Sequence, residues 1–384
     1  MAVCQLGYGF MLDCMAEWTI TFSTSSINQA SNYKDFKGLA VLCLQSKGMG
    51  STTIYNISTN SNPNPNPKKV WTTLITNASY IPGLLTLEYS LRRCESKYPL
   101  VALYTDSFPI SGHSVLDARG IAKKHVPYLL PSIPRDYTND VRFYDCWSKL
   151  TPFSLIEYER VVQLDSDMLV LRNMDELMDL QLDGPEMKGE GSRVFGATHA
   201  CVCNPLSKPH YPSDWVPSNC VYWGQHSHPE LASHIAPPAS AALGIPNGGL
   251  QVVNPSLEIY NKIIAQLGSA ATSSYNFADQ SLLGDLFAGR WVALPYVYNA
   301  LKTMRWKGVH DVIWEDEEVK NVHYILSPKP WEEDPELRVR DKEQDGLEVK
   351  DGKSHTKDPL HKLWWKVNGE RLREERRRGI NERF

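Results

Sequence analysis

The residues best suited to chemistry lie in Glu159–Asp179, ERVVQLDSDMLVLRNMDELMD. An apolar run (Val161, Val162, Leu164) delivers two carboxylates, Asp165 and Asp167, and a second apolar run, Met168–Leu171, follows at once. Carboxylates between apolar runs are costly unless paired or bound to a cation. At i and i+2 on a strand end, both can turn toward one point beyond the sheet edge. That arrangement suits a divalent metal held beside a phosphate. Alone, D-x-D recurs by chance, and its bland reading is a polar turn closing a strand. Two downstream segments sharpen it. Val322–Trp331, VHYILSPKPW, sets His323 and Lys329 after an apolar–polar run, and Pro246–Pro255, PNGGLQVVNP, opens a short strand on a glycine pair. Oxygen ligands with one imidazole favour Mn²⁺, with Mg²⁺ as the alternative. Lys329 would bring a point charge to the phosphates.

These groups need a scaffold, and the patterning supplies one. Trp71–Thr76 is strand-like, Asn77–Pro82 turns, and Gly83–Arg93 places Leu84, Leu87 and Leu91 at helical spacing. Leu100–Thr105 reads as a buried strand followed by a turn at Asp106–Gly112, and Tyr144–Tyr158 reads as a helix leading into the strand Val161–Leu164. Val194–Thr198, Leu250–Val253 and Trp291–Leu294 are further short strands. Asn254 has the character of an N-cap with Pro255 at the first helical position, and the helix that follows shows Tyr260, Ile264 and Leu267 on one face. Such alternation predicts an α/β fold with a largely parallel sheet. Ligands bind beyond the carboxyl ends of strands in these sheets, and Asn77, Asp106, Asp165 and Gly248-Gly249 all lie at strand boundaries, in agreement.

The chain has 384 residues, a formal charge of −4 and 42% hydrophobic residues, enough for one large domain or two modest ones. The near-neutral balance argues against nucleic acid as a partner. No run reaches the roughly 20 apolar residues of a transmembrane segment. The start lacks a basic leader and carries Asp13 and Glu17, which makes a poor signal peptide. Eight cysteines without regular spacing fit a reducing compartment, and a cytoplasmic location is expected. Residues 1–69 read as an N-terminal tail or linker, poorly ordered except for a piece around Leu39–Leu44, and ending in Ser61–Pro67, SNPNPNP. Residues 70–335 form the main domain. Residues 336–384 are charged and contain HKLWWKVNGERL, expected to be a helix that docks Trp364 or Trp365, with Arg371–Arg378 as a solvated basic end. Thr198–Gly244 is a long irregular stretch, the kind that is usually functional or disordered. Of the sequons at Asn56 and Asn77, the second is discounted because it lies at a strand end expected to bind ligand.

Together, VWTTLITNASYIPGLLTLEYSL, CWSKLTPFSLIEYERVVQLDSDMLVLRNMDEL, NGGLQVVNPS, FADQSLL and VHYILSPKPW stand in the order seen in glycosyltransferase family 8. Over about Val70–Trp331 the chain resembles that family's glycogenin and galactinol synthase branch. The resemblance implies a GT-A fold, a Rossmann-like nucleotide-diphospho-sugar transferase with a mixed, mostly parallel sheet flanked by helices. It implies transfer of a hexose from UDP-glucose or UDP-galactose, with retention, to a polyol, glycan or protein-tyrosine hydroxyl, in a protein able to form a homodimer. It places Asp165, Asp167 and His323 as Mn²⁺ ligands, with Ser166 between the carboxylates in the donor site. Leu74, Thr76, Asn77 and Tyr80 correspond to positions near uracil and ribose, and Lys149 to a lysine reaching the donor sugar and phosphates. Asn247 and Gly248 lie beside the donor hexose, Asp279 and Gln280 under its anomeric centre, and Lys329 at the diphosphate.

Retention requires either a covalent intermediate, for which Asp279 is the carboxylate candidate, or same-face attack in which the departing phosphate oxygen takes the acceptor proton. The latter is favoured, with the Gln280 carbonyl stabilising the oxocarbenium-like centre. Two features depart from the family. Leu326 and Ser327 replace a glycine-bearing loop, and Asn276 stands where an acidic residue often precedes the D-Q pair. The insert's His199, Cys201, Cys203, Cys220, His226, His228 and His234 match zinc-site spacing poorly. Galactinol synthases carry a comparable Cys-rich insert at this place, and the expectation is that it shapes the acceptor pocket. The blander readings are a core histidine at 323, a surface lysine at 329, and a helix start near Ser281 capped by Asp279 and Gln280. A silent sugar-nucleotide-binding protein, supported by the altered loop at Leu326, is the competing function. A nucleotidyltransferase is disfavoured, because Asn77–Gly83, NASYIPG, is not a glycine-rich basic phosphate loop.

Overall fold

The computed structural model of the chain describes residues 67–333 and 358–381, with the backbone of three short strands before them. Those strands, β1 (Trp18–Thr21), β2 (Ala40–Ser46) and β3 (Thr53–Ile57), form an antiparallel sheet in that order. The piece expected around Leu39–Leu44 coincides with β2. The rest of the expected tail through Asn66 lies outside the described residues, as does most of the charged stretch before the C-terminal helix.

From Lys69 the apolar runs become strands. Seven of them, β4 (Lys69–Ile75), β5 (Leu100–Tyr104), β6 (Ala122–His125), β7 (Arg160–Leu164), β9 (Phe195–Ala197), β10 (Leu250–Val253) and β11 (Val292–Ala293), make one sheet in the order β11-β9-β10-β7-β4-β5-β6. Pairing is parallel except where β10 runs against β7 and β9. The sheet is mixed and mostly parallel, as expected. Residues RVVQL of β7 are buried along their whole length, which explains the apolar Val161, Val162 and Leu164. Of its two polar side chains, Gln163 accepts a hydrogen bond from Thr72 Oγ1 at 2.6 Å, and Arg160 donates to Asn254 and to the carbonyls of Leu177 and Leu180.

Helices cover the sheet: α1 (Ile81–Arg93), α2 (Ile110–Asp117), α3 (Arg142–Cys146), the single turn α4 (Pro229–Ala232), α5 (Leu257–Leu267), α6 (Ala278–Leu286) and α7 (Pro359–Arg377). The expected Leu84, Leu87 and Leu91 stripe of α1 is buried, at about 1.5–3 kcal/mol for each leucine removed from water. Several local expectations need correction. Tyr144–Tyr158 is not one helix: α3 gives way to a 3₁₀ segment, Trp147–Ser154, in which Pro152 has no amide to donate. Ser256, not Asn254, caps α5, because Arg160 Nε occupies Asn254 Oδ1 at 2.9 Å. The buried stripe of α5 is therefore Ile259, Ile263 and Leu267.

A second small sheet, β12 (Ala300–Leu301), β13 (Asn321–His323) and β8 (Met168–Val170), decides the site. Its antiparallel register sets His323 opposite Met168, and Tyr324 N donates to Asp167 O at 2.9 Å. The imidazole thus arrives beside the D-x-D through backbone pairing.

The C-terminal helix docks as expected, with both tryptophans engaged. Trp364 is fully buried, and Trp365 Nε1 donates to Pro330 O at 2.9 Å. The basic end is not uniformly solvated. Arg371 is buried, donating to Glu375 Oε1 at 2.7 Å and to Asn368 Oδ1, and Arg119 pairs with the same glutamate at 2.9 Å. Arg376–Arg378 stay exposed.

Candidate active site

The residues that the family resemblance assigned to the donor and metal site line one cavity at the carboxyl ends of β4 and β7. These are Leu74, Thr76, Asn77, Tyr80, Lys149, Asp165, Ser166, Asp167, Asn247, Gly248, Asp279, Gln280, His323 and Lys329. Asp165 is fixed where β7 ends, its amide donating to Gly249 O at 2.9 Å because β10 pairs Leu250 with Leu164. Asp165 Oδ2, Asp167 Oδ1 and His323 Nε2 converge, the imidazole nitrogen lying 3.6 Å and 3.2 Å from the two oxygens. Asn299 Oδ1 sits 2.8 Å from His323 Nδ1, while Asn299 Nδ2 donates to Thr198 Oγ1 and Asn247 Oδ1. This network puts the imidazole proton on Nδ1. The ring so oriented turns Nε2 toward the two carboxylates, a donor set that a shared divalent cation suits. The three residues thus fit a cation site. Asn299 carries no motif and was not foreseen.

Two lysines flank the carboxylates. Lys149 Nζ donates to Asp165 Oδ2 at 2.7 Å, and the buried Lys329 Nζ donates to Asp167 Oδ2 at 2.5 Å and Tyr324 O at 2.8 Å. Burial raises the proton affinity of Asp167, but Lys329 and His323 outweigh it and hold the carboxyl well below the usual range. Burial likewise opposes the charge on Lys149, yet Asp165 carries its ammonium well above the ordinary lysine value. Asp279 goes the other way. Burial pushes its carboxyl up to about 7, Lys149 pulls it down, and Asp165 adds to the rise.

The glycine pair has a steric reason. A Cβ on Gly248 would stand 2.4 Å from Asp279 Oδ2, and one on Gly249 would stand 2.4 Å from His323 Cε1. Asp279 and Gln280 are not caps ahead of a helix at Ser281. They sit in the first turn of α6, which begins at Ala278 with φ +38. That backbone turn presents Gln280 Oε1 to the Gly248 amide at 3.3 Å and Asp279 Oδ2 to Gln251 Nε2 at 3.3 Å.

The loop before Lys329 keeps a glycine-like path without glycine, since Leu326 has φ +67. Trp331 Nε1 donates to Ser79 O at 2.9 Å, joining this loop to the turn after β4. Behind it, Lys302 donates to Pro328 O and to His361 Nε2, both at 3.2 Å. Burial, followed by Lys329, pulls the Lys302 ammonium down to about 8. Asn276 does not line the cavity. Its Oδ1 accepts from Arg135 Nη2 at 2.6 Å.

Arg142, bound to Asp140 at 2.6 Å, adds to the wall without having been flagged in the sequence, and the irregular insert contributes Cys201, Lys208, Tyr211 and Trp215. The insert's three cysteines gather with His310, which lies outside it, and not with the insert's own histidines. Among the described residues no helix is long and apolar enough to cross a membrane.

Comparison with known proteins agrees with this geometry. The family model described as glycosyl transferase family 8 matches residues 72–334. Galactinol synthase 1 of Solanum lycopersicum is 26% identical over 305 residues, covering 77% of this chain and 80% of the relative. Galactinol synthase 1 of Arabidopsis thaliana is 29% identical over 301 residues, covering 77% of each. The galactosyltransferase LgtC, crystallised with donor and acceptor sugar analogues, superposes with a TM-score of 0.50 at 13% identity, covering 78% of this chain and 96% of that one, which shows a shared GT-A fold. The chain therefore belongs to glycosyltransferase family 8, on its galactinol-synthase-like branch.

Proposed function

We propose that the protein transfers a hexose from a UDP-sugar, with retention, to a small polyol of the myo-inositol type. The observation that carries this is the convergence of Asp165, Asp167, His323, Lys149, Lys329, Asp279 and Gln280 on one cavity. The kinship with galactinol synthases supports the polyol acceptor. Leu74, Thr76, Asn77 and Tyr80 receive the uridine. Asp165, Asp167 and His323 hold the cation, for which a mixed oxygen and imidazole set favours Mn²⁺ over Mg²⁺. When bound, that cation supplies charge neutralisation to the diphosphate.

The protein's own groups do the rest. Lys329 neutralises the leaving diphosphate, and Lys149 and Asn247 orient the donor sugar. An acceptor O–H attacks the anomeric carbon on the face that the diphosphate leaves. As the anomeric C–O bond to the β-phosphate breaks, the acceptor proton passes to the departing phosphate oxygen, giving UDP and a glycoside. Gln280 Oε1 offers its carbonyl to the developing positive charge. Asp279 Oδ2 is engaged by Gln251 Nε2 at 3.3 Å and packed against Gly248, which favours this route over a covalent Asp279 intermediate.

The test is UDP release from UDP-galactose and UDP-glucose with Mn²⁺, with and without myo-inositol, for wild type and Asp167→Asn. Inositol-stimulated release that falls by about 10²–10³-fold or more in the variant is expected. Metal-independent release, or a variant as active as wild type, would sink the proposal. Hexose addition to the protein itself, seen by intact mass, would move the acceptor to a tyrosine.

A further inference from the structure

We infer that Cys201, Cys203, Cys220 and His310 form a structural zinc site, separate from the Asp165–Asp167–His323 centre, that clasps the irregular insert. One ligand atom from each of the four lies within 4.8 Å of all the others. His310 Nε2 is 3.2 Å from Cys203 Sγ and 3.3 Å from Cys220 Sγ. Tetrahedral zinc with bonds of about 2.3 Å to sulfur and 2.0 Å to nitrogen spaces its ligand atoms about 3.5–3.8 Å apart. The cluster therefore accepts the ion with shifts of a few tenths of an ångström at His310. Three thiols and one imidazole are a ligand set that structural zinc uses commonly and Mn²⁺ does not.

The surroundings fit. His310 is fully buried, and its Nδ1 lies 3.0 Å from His226 Nε2. That contact engages one ring nitrogen with a second polar group and leaves Nε2 for the metal, as outer partners of ligating histidines do. Cys203 and Cys220 are buried and all three thiols are free, so none is committed to a disulfide. The C-x-C motif begins the insert, Cys220 lies well along it, and His310 follows β12. One ion would therefore join three separate chain segments.

The site also answers a structural need. Between β9 and β10 the chain has only short 3₁₀ turns and the single turn α4, yet its Cys201, Asn204, Lys208, Tyr211 and Trp215 wall the cavity. A loop with so little regular structure needs cross-links to hold one conformation, and a buried metal supplies them. Zinc at Cys201, Cys203 and Cys220 would bracket that wall at both ends.

The experiment is elemental analysis of the full-length protein purified without chelators, followed by Co²⁺ substitution. The expected result is about one zinc per chain, with Co²⁺ giving a thiolate charge-transfer band and the d–d bands of a tetrahedral site. Asp167→Asn should keep both signatures, because its carboxylate belongs to the other centre. Cys220→Ser and His310→Gln should lose the zinc or hold it at least tenfold more weakly. Where those variants fail to fold, titrating wild-type thiols with a mercurial while a metallochromic indicator reports release supplies the same answer: zinc should leave as three thiols react. Zinc-free protein with intact thiols, a mass lowered by disulfide formation, or Co²⁺ bands lost in Asp167→Asn would overturn the assignment.

Discussion

Replacing Asp279 by asparagine should stabilise the protein at alkaline pH while impairing transfer. The carboxyl is 3% exposed, and its proton affinity is raised from the ordinary 3.8 to about 7, first by burial, with Lys149 opposing and Asp165 adding. A carboxyl raised on folding binds its proton more tightly in the native state, so stability is lost as pH climbs from the unfolded value toward the folded one. At about 1.4 kcal/mol for each tenfold change in proton affinity, ionised Asp279 costs about 4 kcal/mol at pH 8 but only about 1.6 kcal/mol at pH 5. Asparagine keeps the shape and an oxygen for Gln251 Nε2 without the charge. Urea unfolding followed by tryptophan fluorescence, without donor or added metal, should show the variant more stable than wild type at pH 8. That advantage should shrink by about 2.5 kcal/mol on going to pH 5. An advantage independent of pH, or a variant weaker than wild type at pH 8, would refute the claim that the fold holds this carboxyl above its normal range.

Gly249→Ala would drive a methyl into His323, whose ring Asn299 pins, so half-saturating Mn²⁺ for UDP release should rise about 10–100-fold with circular dichroism unchanged. An unaltered metal requirement would mean that the ring is free to move. Leu326→Gly removes a left-handed leucine at φ +67 and should raise unfolding free energy by about 1 kcal/mol without raising the donor KM. A clear loss of stability would show that the leucine side chain matters more than its backbone strain. Trp364→Ala should cost about 3–5 kcal/mol and, because Trp365 and His361 brace the loop carrying Lys329, weaken UDP binding measured by calorimetry. Full UDP affinity in a folded variant would separate helix docking from the phosphate loop.

The carboxylate end of the cavity was legible in the sequence. The short β-branched run Val161–Leu164 reads as a buried strand, and the structure places it at the centre of the sheet with the carboxylate pair at its end. The glycine pair was legible as a close approach, although only the fold shows that Asp279 and His323 are what approach. Helix limits were less legible. Pro152 and the claim of Arg160 on Asn254 act through neighbours that no local pattern contains.

What tertiary structure decided is everything that depends on distant segments meeting. The register of β13 on β8 brings His323 to Asp167, and Asn299 sets its tautomer. The C-terminal helix buries Arg371 within a sequence that reads as a solvated basic run, because Glu375 and Asn368 on the same helix accept from its guanidinium, and Arg119 shares that glutamate. His310, a lone histidine in a loop, becomes a partner of three cysteines only when the insert folds back onto it. Residue type and spacing fix what a segment can do locally. Which groups share a site follows from strand pairing and core packing, whose contacts span the whole domain.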